Sequence, residues 1–119
     1  MPNFYGAPEI TVSQLAEKLR NGDDVRVLDI REMDEIDRVY LDSPKVYIAP
    51  LSELAVHRLG RLPDEVRERS AEVVVMCHHG IRSAQVTMWL LAEGWENVTS
   101  LAGGIDAYAR EIDPEVGFY

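Results

Sequence analysis

Val73-Val74-Val75-Met76-Cys77-His78-His79-Gly80-Ile81-Arg82-Ser83-Ala84 runs from the most apolar stretch of the chain into its single cysteine. Four apolar residues in a row, without alternation, fit a strand covered on both faces, as in a parallel sheet. The cysteine then stands at the strand's end. A glycine-containing turn and an arginine follow it. From Ser83 to Glu93 apolar residues recur at Val86, Trp89, Leu90 and Ala92, and Gly94 follows. That pattern predicts a helix closed by a C′ glycine.

Working outward, Val98–Leu101 predicts a further strand, and Gly103-Gly104 leads into a helix over Ile105–Ile112 that stops at Asp113-Pro114. Upstream, Val25–Ile30 reads as a strand. Arg31–Tyr40 is mixed and acidic and reads as a short helix. Ser43-Pro44 marks a turn, and Val46–Ile48 reads as a strand. Near the start, Thr11 and Gln14 have the spacing of a capping box, with Ile10 and Leu15 placed as a hydrophobic staple. That helix should end at Asn21-Gly22. Ser52 is placed to cap a helix through Leu54 and Leu59 that closes at Gly60, and Pro63 to start a short helix ending near Arg69. Strands alternating with helices predict an α/β fold with a mostly parallel sheet, in which ligands bind beyond the carboxyl ends of the strands.

The composition fits one domain over residues 1–119, with 46% apolar and 28% charged residues, and excludes a disordered or collagen-like chain. Twelve basic against 21 acidic residues give a formal charge of -9. No nucleic-acid or anionic-membrane partner is expected of so acidic a chain, and an anionic ligand must be attracted locally. The apolar stretches Val73–Cys77 and Met88–Ala92 are too short to span a bilayer. MPNFYGAPEI lacks the basic and apolar regions of a signal peptide, and the expected location is cytoplasmic. A lone cysteine excludes an internal disulfide, a four-cysteine zinc site and a Cys-x-x-Cys pair.

The chemistry expected of Cys77 follows from its setting. An unperturbed thiol is only about 3% thiolate at pH 7, and the thiolate is the nucleophile. Loop amides curled around the sulfur, the N-terminus of the next helix and Arg82 all favour the anion. A lone cysteine also serves elsewhere as a small buried hydrophobe. Here the glycine turn, arginine and helix together point to a functional thiol. Gly80 supplies a turn position with positive φ, and Arg82 is expected to stabilise an anion. Adjacent loop side chains generally diverge, so Cys77, His78 and His79 are not expected to share a metal, and no metal or cofactor is predicted. His78 and His79 either tune the thiol or substrate contacts or are simply exposed.

The segments VLDIRE, CHHGIRSAQ, LAGGIDAY and DPEVGFY occur here in this order, and together they resemble a rhodanese-like domain of the single-domain sulfurtransferase type. The similarity runs from about Ile10 to the C-terminus. It implies a rhodanese-like three-layer α/β sandwich, with a mainly parallel five-stranded sheet and helices on both faces. It implies Cys77 as the catalytic, sulfur-carrying residue. His78, His79, Gly80, Ile81 and Arg82 match the loop that holds the persulfide or the substrate anion. Asp29 and Arg31 match a supporting Asp-x-Arg signature, and ion pairing at a strand end gives them a structural role independently. The implied partners are a small anionic sulfur donor such as thiosulfate and an external acceptor: a thiol, cyanide or a sulfur-acceptor protein. The family's Gly-His-Ile…Gly-Ala segment is missing, replaced by Val39-Tyr40-Leu41-Asp42-Ser43-Pro44-Lys45-Val46.

Two other functions compete. A cysteine phosphatase or arsenate reductase also places a thiolate in an arginine-closed loop, but with Cys-x5-Arg, whereas Cys77 and Arg82 are spaced Cys-x4-Arg. A non-turnover persulfide relay or regulatory binding module is the other; a purely regulatory module would not need Cys77.

Overall fold

The structure, a computed structural model, describes Asn3 and residues 5–119. Met1, Pro2 and Phe4, part of the stretch read for a targeting signal, lie outside the described residues. The strands are β1 (Glu9–Ile10), β2 (Val25–Asp29), β3 (Val46–Ile48), β4 (Glu72–Met76) and β5 (Val98–Leu101). The helices are α1 (Val12–Asn21), α2 (Met33–Arg38), α3 (Leu51–His57), α4 (Ile81–Ala92) and α5 (Gly104–Glu111). The sheet order is β1-β5-β4-β2-β3, and every pairing is parallel. β4 is therefore central, which is why Val73–Met76 carries no polar alternation.

Alternation survives along β4 as a choice between two cores. Val73, Val75 and Cys77 face one core, with Leu54 of α3 and Val86 and Leu90 of α4. Val74 and Met76 face the other, with Leu15 of α1 and Ile105 and Tyr108 of α5. The result is the expected three-layer α/β sandwich. Cys77, one residue beyond β4, keeps the strand's parity and so faces α4.

Local signals explain most element ends. Thr11 and Gln14 form the capping box, and Gly22 ends α1 in the left-handed region with φ 74°. The differences from the sequence reading have physical causes. β1 is two residues long and leaves no periodicity to read. α3 starts one residue before Ser52, behind Pro50, and the Ser52 hydroxyl donates to Glu32 instead of capping its own helix. It ends at His57 because Arg58 turns to φ 55°, and Gly60 sits within the 3₁₀ turn that follows. After Pro63 only a 3₁₀ turn forms, over Asp64–Val66. Val66 is the one apolar residue from Asp64 to Arg69, too little for an amphipathic stripe. Trp95 is buried, and its indole donates to the Val66 carbonyl at 2.9 Å. Among the described residues, no helix is long and apolar enough to cross a membrane.

Candidate active site

The site forms where β4 hands over to α4. Gly80 is the N-cap of α4, with φ 97°, a conformation that favours glycine. A Cβ there would also meet the Gly103 nitrogen at 3.1 Å and the Leu101 carbonyl at 3.2 Å. Helix begins immediately afterwards, so Ile81 and Arg82, read above as loop, already form the first turn of α4. Helix first-turn amides have no intrahelical acceptor. Two N–H groups from this corner find one in the cysteine: Gly80 N donates to Cys77 Sγ at 3.1 Å, and Ser83 N at 3.3 Å.

Hydroxyls complete the cradle. The Cys77 thiol donates to Ser83 Oγ at 3.3 Å, and Ser83 Oγ lies 2.8 Å from Ser100 Oγ on β5. Both serines are fully buried, and Cys77 is 1% exposed. Hydroxyl hydrogens rotate to suit their partners. Ser83 can therefore accept from the thiol or donate to the thiolate without moving a heavy atom. The helix end, two amides and a rotatable hydroxyl make a neutral but polar seat for an anionic sulfur.

The backbone of this loop is tied down from α5. Ile105 N donates to the Cys77 carbonyl at 2.9 Å, and Asp106 N to the His78 carbonyl at 3.1 Å. Gly104 makes this approach possible, since a Cβ would sit 2.3 Å from the His78 carbonyl oxygen and 2.5 Å from that of Cys77.

A charged cluster adjoins the cradle. Arg31, fully buried, takes Asp29 in a two-pronged pair, Nε to Oδ1 at 3.0 Å and Nη2 to Oδ2 at 2.8 Å. Burial opposes the charge on Arg31, but the hydrogen bonds and charge of Asp29 outweigh it and hold the guanidinium above its ordinary pKa. Its Nη1 donates to the Val39 carbonyl at 2.8 Å. Arg31 thereby anchors the segment that replaces the family's Gly-His-Ile pattern, with Val39 and Leu41 buried.

Arg82 is committed in a way its sequence position does not predict. Nη1 and Nη2 both donate to Glu35, each at 2.8 Å. These bonds raise the Arg82 pKa. They also lower that of Glu35 to about 2, assisted by the Glu32 backbone and Tyr119 against the effect of burial. Tyr119 OH donates to Glu35 Oε1 at 3.0 Å and accepts from Arg31 Nη1 at 3.4 Å. The Tyr119 ring stacks on His78, with centroids 3.9 Å apart, and burial raises its phenol pKa. The adjacent rings of His78 and His79 do not diverge; their centroids are 3.8 Å apart. Tyr119 and the α5 amides pin His78 from two sides, and His79 folds against it.

Glu35, Ser83, Ser100 and Tyr119 are the residues that sequence reasoning missed. Ser83 carried a faint signal as the first polar residue after the arginine. Ser100 carried none and Tyr119 only its place in the segment DPEVGFY, because both reach the site only through the fold. A concavity of about 740 Å³ lies elsewhere and is lined by Arg20, Arg38, Tyr40 and Asp113. A smaller depression of about 390 Å³ borders the loop at His79, Gly80, Ile81 and Gly103. Cys77 lines neither of them.

A parallel α/β sandwich with a cysteine seated at a strand-to-helix corner is the class that fold and site define. The chain belongs to the rhodanese-like domain family, whose model matches residues 11–111. It is 32% identical over 111 residues to "Thiosulfate sulfurtransferase GlpE" of Glaesserella parasuis, covering 92% of this chain and 94% of that one. It is 35% identical over 121 residues to "tRNA uridine(34) hydroxylase" of Xanthomonas euvesicatoria, covering 92% of this chain and 45% of the relative. Among solved structures, a rhodanese-related protein from Thermoplasma volcanium superposes with a TM-score of 0.70 at 28% identity, covering 88% of this chain and 93% of that one. The chain spans less than half the length of several curated relatives it matches.

Proposed function

We propose that this chain is a sulfurtransferase that carries sulfane sulfur as a persulfide on Cys77. The supporting observation is the seat of the sulfur, with two amide donors and a serine hydroxyl within 3.3 Å. In the first step the Cys77 thiolate attacks the outer sulfur of a donor such as thiosulfate. A new S–S bond forms, the S–S bond of thiosulfate breaks, and sulfite leaves with the electron pair. In the second step an external thiolate or cyanide attacks the outer sulfur of the persulfide. The Cys77 thiolate is regenerated, and a new persulfide or thiocyanate departs. No other cysteine exists to capture the persulfide as an internal disulfide, so the acceptor is external. Preorganised donors at the corner stabilise the anionic sulfur in both steps.

Intact mass spectrometry tests the reading. After thiosulfate, the wild type should gain one sulfur atom, removable with dithiothreitol, and Cys77→Ser should gain none. A folded protein with a free thiol that gains nothing rules out thiosulfate as donor. A protein-to-protein relay is the second reading. In the longer relatives the matched region is less than half of the protein, an arrangement that suits sulfur delivery within an assembly. Slow turnover with cyanide alongside rapid discharge to an acceptor protein would favour the relay. The phosphatase reading gains no support: the guanidinium that would clasp a phosphate is occupied by Glu35.

A further inference from the structure

The Cys77 loop and α5 bring together one cluster of side chains to which the proposed sulfur-transfer steps assign no part. A ring nitrogen of His78, a ring nitrogen of His79 and a carboxylate oxygen of Asp106 lie within 4.8 Å of one another. His79 Nδ1 is 3.9 Å from Asp106 Oδ2. The cluster has a fixed side and a movable side. His78 is held by the Tyr119 stack and by the Asp106 amide on its carbonyl, whereas the His79 side chain is 59% exposed. His78 Nε2 is buried and has no hydrogen-bond partner, and such a nitrogen in a folded protein calls for an explanation.

We propose that His78, His79 and Asp106 form a three-ligand site for a divalent transition-metal ion of the zinc type, at the rim of the Cys77 loop. Two imidazoles and a carboxylate are a donor set for Zn²⁺ and similar borderline ions rather than for Ca²⁺ or Mg²⁺. Bonds of about 2.0–2.1 Å place tetrahedral donors roughly 3.4 Å apart. The cluster must therefore tighten, and a rotamer change at exposed His79 supplies most of that movement. Asp106 Oδ2 currently accepts from Arg110 Nη2 at 3.0 Å. Arg110 is 65% exposed, so that pair is weak and readily displaced. The chain's charge of -9 draws cations toward its surface. A bound ion would cross-link the Cys77 loop to α5 and keep one coordination position open.

The test is calorimetric titration of the full chain carrying Cys77→Ser with zinc chloride, so that the thiol does not compete as a ligand. One saturable site is expected, together with a rise in Tm. His79→Ala or Asp106→Asn added to this background should weaken binding by more than about a hundredfold, beyond what the loss of an outer-shell partner commonly costs. His57→Ala should change nothing. Cobalt(II) bound to the wild type should show ligand-field bands without a sulfur charge-transfer band. The assignment is overturned by an absence of saturable binding, or by binding that survives His79→Ala and Asp106→Asn together. Binding lost with His57→Ala, or a sulfur charge-transfer band, overturns it equally. Because His79 is exposed, its variant reports on binding even if Asp106→Asn perturbs the fold.

Discussion

Two regions a few residues apart handle charge in opposite ways. Around Cys77 the partners are neutral: two backbone amides and the Ser83–Ser100 hydroxyl pair. Beside it, Asp29 pairs with Arg31 and Glu35 with Arg82. On the proposed function, an anionic sulfur would therefore be held by oriented dipoles rather than by a free guanidinium. Dipoles fixed by the backbone need no reorganisation when the charge moves between thiolate, donor and persulfide. Charged pairs do something else: they fix loops. Arg31 ties Val39, and Arg82 ties α4 to α2.

The dipolar region depends on backbone placement, so the largest effect is expected from a backbone insult. Gly104→Ala puts a methyl within 2.5 Å of two carbonyl oxygens at a residue with φ 64°. The α5 amides must then release the Cys77 loop. A stability loss of more than about 3 kcal/mol is expected, read by urea denaturation, together with loss of sulfur loading. A variant of near-native stability would mean that α5 does not hold the loop.

Ser83→Ala sharpens the comparison at the sulfur itself. It removes a hydroxyl that serves both Cys77 and Ser100 and leaves Ser100 without its buried partner. A cost of about 1–3 kcal/mol follows from one unsatisfied buried hydroxyl. The rate of Cys77 alkylation by iodoacetamide at pH 7 should fall several-fold, since the thiolate loses one of its three donors. An unchanged rate would shift the stabilisation entirely onto the amides.

How legible this comparison was in the sequence follows from the same physics. Backbone-directed features leave local marks. A run of four apolar residues announces a central parallel strand, Gly80 a positive-φ corner, and Thr11 with Gln14 a capped helix. The cysteine and its loop were therefore readable at once. Charge pairing across the fold leaves no such mark. Nothing near Arg82 in sequence names Glu35, 47 residues away, and Arg82 consequently read as a free anion contact. Tyr119 lies 84 residues from Glu35 and was equally hidden. β1 was lost for a simpler reason, being too short to show a period, and the helix read from Pro63 to near Arg69 shrinks to a 3₁₀ turn over Asp64–Val66.

Glu35→Gln tests whether the charged region is silent toward the anion. Glutamine keeps an acceptor for Arg82 but uncovers its positive charge. A several-fold lower KM for thiosulfate with little change in kcat is expected, from about 1 kcal/mol of added attraction at a partly exposed site. Stability carries a second readout. The folded-state pKa of Glu35, about 2, lies below its ordinary value of 4.5. Its contribution is therefore present above about pH 4.5 and is lost as the pH falls toward 2. Wild type should exceed the variant in stability at pH 7, and the gap should close over that acid range. A gap that does not change with pH would mean that the pair's charge contributes nothing.

The smallest effect is expected from Tyr119→Phe, which separates the ring from its hydroxyl. The stack on His78 stays, while the donation to Glu35 and the contact from Arg31 are lost. One net hydrogen bond at a partly buried site amounts to about 0.5–1.5 kcal/mol. Denaturation should show a loss in that range, and sulfur loading of Cys77 should not change, because no bond of the cradle passes through the phenol. A variant that loads sulfur more slowly would show that the charged pairs and the neutral cradle are coupled through the His78 ring, and the division between the two regions would fail at that point.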